Sequence, residues 1–411
     1  MALIVAKFGG TSVADVERIE RAAEKIVREV EAGNQVAVVV SAMSGVTNTL
    51  VGYCGEISKL HDLREYDVVV SSGEQITSGL MAMALQKRGI AARSWLGWQI
   101  PFKTNDMHGK ARITDIQTEE LKKRLGSGEV AVVPGFQGIT EANRISTLGR
   151  GGSDTSAVAL AAALEADRCD IYTDVDGVYT TDPRIVPQAR KIKKISFEEM
   201  IELASLGSKV LQTRSVEIAM KQGVKLQVLS SFEDHIGSDM PGTLVVQESE
   251  IMEEELVSGI ACSRDEAKIT LLRVSDVPGV ASKVFSPLGK AGVNVDMIVQ
   301  NVSADGQFTD MTFTVSRADL PRALEVVEKL EEVEYEKILS SDNVSKVSVV
   351  GVGMISHPGV AEKMFTTLAN KGINIQVIST SEIKISVLIE EDYTELAVRA
   401  LHAAYGLEET A

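Results

Sequence analysis

The sequence has few aromatic residues, few cysteines and no long apolar segment. Phe, Trp and Tyr together make up 4% of its 411 residues. The three cysteines, Cys54, Cys169 and Cys262, are far apart and odd in number, which argues against a disulfide framework or a Cys-x-x-Cys zinc site. No apolar run approaches the roughly 18 residues that a membrane span needs. The N-terminus has neither a basic region nor a cleavage site, so we expect no secretory signal and predict a cytoplasmic location.

Positive charge is also scarce, since 42 Lys and Arg residues face 58 Asp and Glu residues and the formal net charge is −16. A protein this acidic is poorly suited to neutralising nucleic-acid phosphates. The five histidines are scattered, which gives little support to a histidine metal site or a Ser-His-Asp triad. An acidic chain that binds an anionic ligand must concentrate its cations locally. Lysines and arginines beside glycine-rich segments are therefore the most informative residues.

What the sequence does contain is a regular alternation of short apolar runs and helical patterns up to about residue 232. Strand-like runs occur at Leu3–Phe8, Val36–Ser41, Val130–Pro134, Asp170–Thr173 and Val224–Leu229. The spacing of apolar residues predicts helices at Asp15–Glu31, Ile76–Arg88 and Ser153–Ala166. This alternation predicts an α/β fold with a mostly parallel sheet between helices. Ligands bind such sheets at the carboxyl ends of the strands.

The first strand runs into a glycine pair within the motif Lys7-Phe8-Gly9-Gly10-Thr11-Ser12. Backbone N–H groups at the start of a helix, together with the helix dipole, form an anion site, and Lys7 adds a full positive charge. The motif is neither a Walker A loop nor a dinucleotide fingerprint. Taken alone, it is equally compatible with an ordinary βα turn in which the glycines allow close packing.

A second glycine-rich motif is Thr147-Leu148-Gly149-Arg150-Gly151-Gly152-Ser153-Asp154. Its glycines allow the backbone to approach a ligand closely. Arg150 can clamp a carboxylate through two parallel hydrogen bonds. Ser153 or Asp154 also fits the N-cap of the following helix, which is the structural alternative.

Four further segments carry polar residues next to predicted strands or helices. Ser71-Ser72-Gly73-Glu74 precedes a helix, and its glutamate suits either a substrate ammonium or the helix dipole. The run Ser41–Asn48 offers hydroxyls at the same sheet edge. Thr173–Arg184 contains an Asp-x-Asp-Gly that lacks the remaining ligands of a calcium loop, which favours a nucleotide-facing loop. Lys209 supplies a second lysine for a phosphate.

Beyond an acidic junction at Gln247–Glu255, the sequence repeats itself with an offset of 80 residues. The segment Pro278–Phe285 recurs as Pro358–Phe365. Each copy reads as a strand, a Pro-Gly helix start, an amphipathic helix, a glycine stop and another strand. A second strand pair and helix follow in each copy, which predicts two βαββαβ modules. Two packing modules without ligands are the alternative interpretation.

Together these motifs resemble, in order and approximate spacing, those of the aspartate kinase family within the amino-acid kinase superfamily. The resemblance covers nearly the whole chain, because the tandem modules look like ACT domains. It implies an amino-acid kinase catalytic domain at residues 1–246, an ACT domain at 265–340 and a second at 345–411. The implied activity is ATP-dependent phosphorylation of the β-carboxylate of L-aspartate to 4-phospho-L-aspartate, the first step towards lysine, threonine and methionine.

The resemblance also implies roles for the residues at matching positions. Lys7 is expected to stabilise the transferring phosphoryl group, and Asp154 to orient the lysines. The residues expected to bind aspartate are Ser41, Thr47, Glu74, Arg150, Gly151, Gly152 and Ser153. Those expected to bind ATP are Lys7, Phe8, Gly9, Gly10, Thr173, Asp174, Tyr179, Asp182, Arg184, Lys209 and Val210. Mg²⁺ is expected to arrive with ATP, without a protein metal ligand.

The ACT-like modules are expected to bind the end products lysine and/or threonine as inhibitors. The implied effector contacts are Asp276, Val277, Pro278, Gly279, Val280, Ala281, Asn294 and Gln300 in the first module and Val360, Ala361, Asn374, Ile375, Ser381 and Glu382 in the second. Paired modules favour a homo-oligomer, or a heterotetramer with a shorter ACT-only subunit from an internal start such as Met252. No nucleic-acid or membrane partner is expected.

Two other functions stay open at this point. One is a kinase for glutamate or another small acid, against which the tandem modules and Ser71–Glu74 argue. The other is a non-catalytic amino-acid sensor that has kept the kinase fold. The joint presence of Lys7, Arg150, Asp154 and Lys209 argues against a sensor without catalysis.

Overall fold

The computed structural model describes residues 1–206, 210–251, 256–302, 306–357 and 359–408. These residues form two compact units. Unit 1 holds Met1–Val178, Lys191–Ala204 and the described residues of 209–252. Unit 2 holds Tyr179–Arg190, 205–206 and the described residues of 253–411. In the part of the chain so described, no helix has both the length and the apolar character that a membrane span requires.

The described residues of unit 1 form two β-sheets and eight α-helices. Its strands are β1 (Leu3–Phe8), β2 (Gln35–Val40), β3 (Ala92–Ser94), β4 (Phe102–Thr104), β5 (Ile113–Ile116), β6 (Val130–Pro134), β7 (Gln137–Thr140), β8 (Ile145–Thr147), β9 (Arg168–Thr173), β10 (Lys194–Ser196), β11 (Leu226–Ser230) and β12 (Thr243–Val246). Its helices are α1 (Val16–Glu31), α2 (Val46–Ile57), α3 (Leu63–Val70), α4 (Ser72–Lys87), α5 (Glu119–Gly126), α6 (Gly152–Leu164), α7 (Phe197–Ser205) and α8 (Thr213–Gln222).

The main sheet has the strand order β10-β12-β11-β9-β1-β2-β6-β3, and only β11 and β12 pair antiparallel. A smaller sheet has the order β5-β4-β7-β8. The main strands are continuous apolar runs because helices cover both faces of a parallel sheet. From Val36 to Val40 no residue is more than 1% exposed. Helices α1 and α4 contribute to one hydrophobic cluster with the sheet, and α6 packs against β1, β2 and β9. The mostly parallel α/β fold predicted from the sequence is confirmed.

The strand order brings the carboxyl ends of β1, β2 and β9 together. Phe8 lies in register with Val40 on one side and with Tyr172 on the other. The glycine motif suggests that the chain passes directly from β1 into a long helix, but it does not. A short 3₁₀ turn at Gly10–Val13 comes first, and α1 then begins behind the N-cap Asp15. The segments that follow these three strands therefore leave the sheet at one edge.

Unit 2 contains six antiparallel strands in the order β14-β15-β13-β16-β18-β17. The strands are β13 (Gly259–Ser275), β14 (Asp296–Val302), β15 (Phe308–Val315), β16 (Lys337–Val350), β17 (Val377–Thr380) and β18 (Lys384–Glu390). The helices are α9 (Val280–Lys290), α10 (Leu320–Glu328), α11 (Val360–Asn370) and α12 (Thr394–Tyr405).

The long strands β13 and β16 are each shared by two four-stranded modules. In the second half of β13, Ile269 lies opposite Phe313 of β15 and Ser340 in the first half of β16. In the first half of β13, Cys262 lies opposite Val347 in the second half of β16. Each long strand therefore supplies the last strand of one βαββαβ module and the first strand of the other.

The second module is consequently not contiguous, which differs from its expected limits at 345–411. Residues 259–263 of β13 fill the fourth strand position beside β16. The strand that the second module needs thus precedes the first module in the chain. A repeat in the sequence shows two copies of a unit, but it does not show which copy each strand joins.

One segment between β9 and β10 also belongs to unit 2, although the predicted first domain includes it. The amide of Ile260 donates to the carbonyl of Thr180 at 2.7 Å. Val186 and Ala189 are 5% exposed and join the hydrophobic cluster formed by α11, α12 and the neighbouring strands. Tyr179–Arg190 therefore belongs to unit 2, because its apolar side chains pack in the hydrophobic core of that unit.

A buried lysine connects the two modules of unit 2. The side chain of Lys346 on β16 is 7% exposed, and its Nζ lies 2.8 Å from Glu266 of β13 and 2.7 Å from Asp296 of β14. Glu266 stands where the pairing of β13 with β16 shifts register. Burial lowers the pKa of Lys346, but the two facing carboxylates raise it above its ordinary value. The charged ammonium therefore compensates the buried carboxylate of Glu266.

Replacing Lys346 with alanine is expected to destabilise unit 2, because the Glu266 carboxylate would stay buried without a counter-charge. Breaking such a pair from one side costs on the order of 3–5 kcal/mol. Calorimetric unfolding of Lys346→Ala measures the loss. Lys329→Ala is the control, since its side chain is 71% exposed and its partner Glu325 is 66% exposed, and it should change the transition little. Equal shifts in the two variants would contradict the expectation.

Candidate active site

A cleft of about 470 Å³ opens in unit 1 and is called the sheet-edge cleft below. The segments after β1 and β2, the end of β9 and the loop before α6 line it. The predicted site residues in its lining are Lys7, Gly9, Gly10, Ser41, Thr47, Glu74, Arg150, Gly151, Gly152, Ser153, Asp154, Thr173 and Val210. Residues that are widely separated in the sequence therefore meet in one cavity.

An ion pair stands in this cleft. Lys7 Nζ lies 2.5 Å from Asp154 Oδ1, and the two side chains are 10% and 12% exposed. Lys7 is near the end of β1, and Asp154 is in the first turn of α6, where an acidic side chain is favoured by the helix dipole. The N-cap of α6 is Gly151, so the alternative in which Ser153 or Asp154 caps this helix is wrong.

A buried carboxylate faces the same cavity. Glu74, in the first turn of α4, is 3% exposed, and its Oε2 has no hydrogen-bond partner in the part of the chain that the structure describes. Burial raises the pKa of Glu74 to about 7, although the backbone N–H groups of Glu74 and Ala42 oppose the rise. Gly73 makes this close packing possible, because a Cβ there would lie 2.7 Å from the Cβ of Ala42. A buried carboxylate with one oxygen unpartnered favours a cationic ligand group.

The glycine pair after β1 offers fewer groups to an anion than its sequence suggests. The Gly9 amide donates to the Tyr172 carbonyl at 3.2 Å, so it is not available to a phosphate oxygen. Phe8 is fully buried and its ring stacks on Tyr172 with centroids 4.6 Å apart, so its side chain faces the core instead of ATP. The anion site therefore narrows to Lys7 and the first amides of the turn that starts at Gly10.

Several residues expected to bind ATP are not part of the cleft lining. Asp174 is exposed just after β9. Tyr179, Asp182 and Arg184 belong to unit 2, where hydrogen bonds from Arg184 hold the pKa of Asp182 below its ordinary value. Lys209 lies outside the described residues. A part in ATP binding stays a prediction for these five residues.

Other residues of the lining were not among the predicted binding residues: Thr11, Ala42, Met43, Ser44, Gly45, Phe136, Gly149 and Ile171. Phe136 has a φ of 69°, a left-handed conformation that costs energy for a bulky side chain. Phe136 could have been predicted from the sequence Pro134-Gly135-Phe136 at the end of β6, because this glycine-containing segment resembles the motifs that follow other strands.

A second cleft, of about 390 Å³, lies at the start of α9 in unit 2 and is called the α9 cleft below. Its lining consists of predicted effector residues, namely Asp276, Val277, Pro278, Gly279, Val280, Ala281 and Gln300. Gly279 is the N-cap of α9 with a φ of 91°. Because glycine has no side chain, the first amides of the helix stay open to an anionic ligand group. Asn294 is not among the lining residues.

The second module has a similar helix start. Gly359 caps α11 with a φ of 106°. The predicted effector residues that pack in the hydrophobic cluster are Val360, Ala361 and Ile375, and those that are exposed are Asn374, Ser381 and Glu382. The two modules thus share the same glycine-capped helix start.

Comparison with known proteins agrees with this geometry. The amino acid kinase family model matches residues 2–230, and ACT domain models match residues 268–332 and 347–405. An aspartokinase from Pseudomonas aeruginosa is 57% identical over 411 residues, covering 99% of this chain and 98% of that protein. E. coli aspartokinase III in complex with aspartate and ADP has a TM-score of 0.80 at 27% identity, covering 98% of this chain and 99% of that chain. Its complex with lysine and aspartate has a TM-score of 0.75 at 27% identity and the same coverage.

These matches extend over both the kinase part and the tandem modules. The kinase model alone covers more than half of the chain, and the Pseudomonas relative aligns almost from end to end. The resemblance found in the sequence motifs is therefore confirmed. The chain belongs to the amino acid kinase family, as an aspartate kinase that carries two ACT domains.

Proposed function

We propose that this kinase transfers the γ-phosphoryl group of Mg-ATP to the β-carboxylate of L-aspartate, and that lysine, threonine or both inhibit it through the ACT modules. The observation that carries the proposal is the presence, in one cleft, of the Lys7–Asp154 ion pair and the buried carboxylate of Glu74, whose Oε2 has no hydrogen-bond partner among the described residues. The ammonium of Lys7 suits the anionic reaction centre, and the carboxylate of Glu74 suits a cationic group of the substrate. This combination fits an amino acid that is phosphorylated on its carboxylate.

Opposite charges hold the two ends of the amino acid. Arg150 binds a substrate carboxylate through paired hydrogen bonds, and ionised Glu74 binds the ammonium. The hydroxyls of Ser41 and Thr47 and the backbone of 151–153, which line the same cleft, complete the subsite. The β-carboxylate is then left to the Lys7 end of the cavity.

Phosphoryl transfer in this cleft needs no general base. The β-carboxylate is ionised at neutral pH, so it is already a nucleophile. One of its oxygens bonds to the γ-phosphorus while the bond from phosphorus to the bridging oxygen breaks, and ADP leaves with that electron pair. The transferred group passes through a loose transition state with charge on its equatorial oxygens. Lys7, held by Asp154, stabilises that charge.

The nucleotide is the second substrate, and Mg²⁺ enters with it. Thr173 and Val210 belong to the lining of the sheet-edge cleft, which supports a nucleotide position over the end of β9. Asp174, which follows Thr173, and Lys209 are proposed to bind the nucleotide as well. The E. coli enzyme in complex with aspartate and ADP, whose fold this chain shares, supports the same pair of substrates.

The α9 cleft is proposed as an effector site. The open helix start at Gly279 suits the carboxylate of an amino acid, while Asp276 and Gln300 suit its polar and cationic groups. An effector inhibits only if it binds the inactive arrangement more tightly than the active one. The lysine complex of the E. coli enzyme supports lysine as one effector. The proposed assembly is a homo-oligomer or a heterotetramer with a shorter ACT-only chain. The proposed reaction is the first step in the synthesis of lysine, threonine and methionine.

The direct test is ADP formation from Mg-ATP with L-aspartate, with the acyl phosphate trapped by hydroxylamine. L-Glutamate and other small acids are assayed in parallel, and lysine and threonine are added singly and together. Hydroxamate that depends on aspartate and is suppressed by an end product is the expected result. Preference for another acid, or no turnover by folded protein, would overturn the proposed activity.

Lys7→Ala is expected to lower kcat by roughly 100-fold or more, because loss of one charged donor to the transition state has about that effect. Steady-state kinetics at saturating aspartate and ATP measure the change. Lys87→Ala removes a lysine that is 72% exposed on α4 and should leave kcat unchanged. Wild-type turnover in Lys7→Ala would rule out the assigned role.

The KM for aspartate is expected to depend on the ionisation of Glu74. Its pKa of about 7 leaves the carboxylate largely protonated below neutral pH, when it binds an ammonium poorly. KM should therefore fall by up to about tenfold per pH unit as pH rises towards 7, and level off above it. Glu74→Gln should raise KM and flatten this profile, while the KM for ATP serves as the internal control. An unchanged pH profile in Glu74→Gln would exclude Glu74 as the titrating group.

Gln300→Ala is expected to weaken end-product inhibition while largely preserving uninhibited turnover, because Gln300 lines the α9 cleft and not the sheet-edge cleft. Inhibition curves with lysine, threonine and their mixture measure the effect. Asn301→Ala changes the next exposed residue of β14 and is the matched control. The effector assignment fails if both variants reproduce the wild-type curves.

A further inference from the structure

We infer that Asp67 is a positioning residue for the aspartate subsite, because its carboxylate ties the helix pair that carries Glu74 to the loop that carries Arg150. This inference rests on the proposed function. Asp67 lies on α3, is completely buried and is not among the residues that line the sheet-edge cleft. It acts on the substrate through its neighbours and not by contact.

The Asp67 carboxylate bonds to two other segments of unit 1. Its Oδ1 accepts hydrogen bonds from the Thr147 hydroxyl at 2.6 Å and from the Gly109 amide at 3.1 Å. Its Oδ2 lies 2.7 Å from His108 Nδ1 and also accepts from the Gly109 amide, at 3.2 Å. Hydrogen bonds to a carboxylate are stronger than those between neutral groups, and these are shielded from water. The three segments are therefore fixed relative to one another.

On one side, Asp67 is close to Glu74 along the chain. Helix α3 ends at Val70 and α4 begins at Ser72, so a single residue separates them. The amide of that residue, Ser71, donates to the Asp67 carbonyl at 3.1 Å, which continues the helical turn across the junction. The position of Asp67 on α3 consequently determines the direction of the backbone at Glu74.

On the other side, Thr147 is the last residue of β8 and starts the loop that leads to Arg150. Arg214 of α8 supports the same loop, with Nη1 donating to the Leu148 carbonyl and Nη2 to the Ala111 carbonyl, both at 3.0 Å. Arg150 itself is exposed. Its direction therefore depends on the backbone that Thr147 and Leu148 hold.

The two anchored loops also touch each other next to Arg150. Gly149 has a φ of 78°, and a Cβ there would lie 3.1 Å from the carbonyl of Gly109. The Gly109 amide, in turn, donates to Asp67. A shift of the segment around Gly109 is therefore transmitted to the residue that precedes Arg150.

Glu74 and Arg150 bind opposite charges of one small molecule, so their separation decides how well a four-carbon diacid fits. A misplacement of about 1 Å can cost up to about 100-fold in rate. One extra methylene changes discrimination by roughly 10–200-fold when the pocket is well defined. Loss of the Asp67 anchor should therefore weaken aspartate binding and reduce its preference over glutamate, while ATP binding is little affected.

The test is Asp67→Asn in the full chain, since the amide keeps the size of the side chain but loses the charge and one acceptor oxygen. The expected result is a KM for aspartate at least about tenfold higher, a smaller preference for aspartate over glutamate and a KM for ATP within about twofold of wild type. Glu65→Gln makes the same chemical change on the same helix at a side chain that is 68% exposed, and it should match wild type.

Two further variants separate positioning from general stability. Thr147→Val removes one donor without changing shape and should raise the KM for aspartate by a smaller factor. It carries the test if Asp67→Asn does not fold. A rise of both KM values with a lower melting temperature, or an unchanged KM for aspartate, would overturn the inference. Absence of aspartate turnover in wild type would instead be a failure of the proposed function.

Discussion

The ion pair between Lys7 and Asp154 is the contact on which the main site depends. It connects the end of a central parallel strand with the first turn of a helix that packs on that strand. An ammonium has three donors, so Lys7 can interact with oxygens of a ligand as well as with Asp154. In a chain with a net charge of −16, such a buried cation is the kind of local positive charge that a site for anionic ligands needs.

The cleft also contains a buried carboxylate, whose charged form has a high desolvation free energy in the absence of ligand. Glu74 is buried and has an oxygen without a partner in the described structure. Burial raises its pKa to about 7. In the proposed complex, the ammonium of the substrate supplies the missing counter-charge. Substrate binding thus relieves a desolvation cost that folding imposed. In the proposed aspartate subsite, the carboxylate of Glu74 and the guanidinium of Arg150 are the charges that bind the substrate, and the buried contacts of Asp67 are inferred to fix their spacing.

Local features of the sequence predicted much of this arrangement. Strands β1 and β6 begin and end at the expected residues, because continuous apolar runs bounded by turns mark buried parallel strands. Glycine-containing segments next to predicted strands or helices pointed to Lys7, Glu74, Arg150 and Asp154, which all line the sheet-edge cleft. These sequence features are local. Because ligands bind at the carboxyl ends of the strands in such sheets, the features together predicted one common site.

The features that the sequence did not reveal all depend on pairing between distant segments. The Gly9 amide is occupied because β9 lies beside β1, and the Phe8 ring turns to the core for the same reason. Asp67 has no motif of its own, since its partners are 41 and 80 residues away. The sharing of β13 and β16 follows from strand pairing that no repeat in the sequence records.

The sharing of these two strands restricts where a shorter regulatory chain can begin. A chain that started after Ser263 would keep the first module but leave the second without its fourth strand. The exposed edge of β16 would then be open to pairing with another chain. A chain that started at Met252 would still include the whole of β13. A break between the end of β12 at Val246 and the start of β13 at Gly259 therefore keeps the six strands of both modules in one chain. It separates them from Tyr179–Arg190, whose Val186 and Ala189 pack in the hydrophobic cluster of the second module.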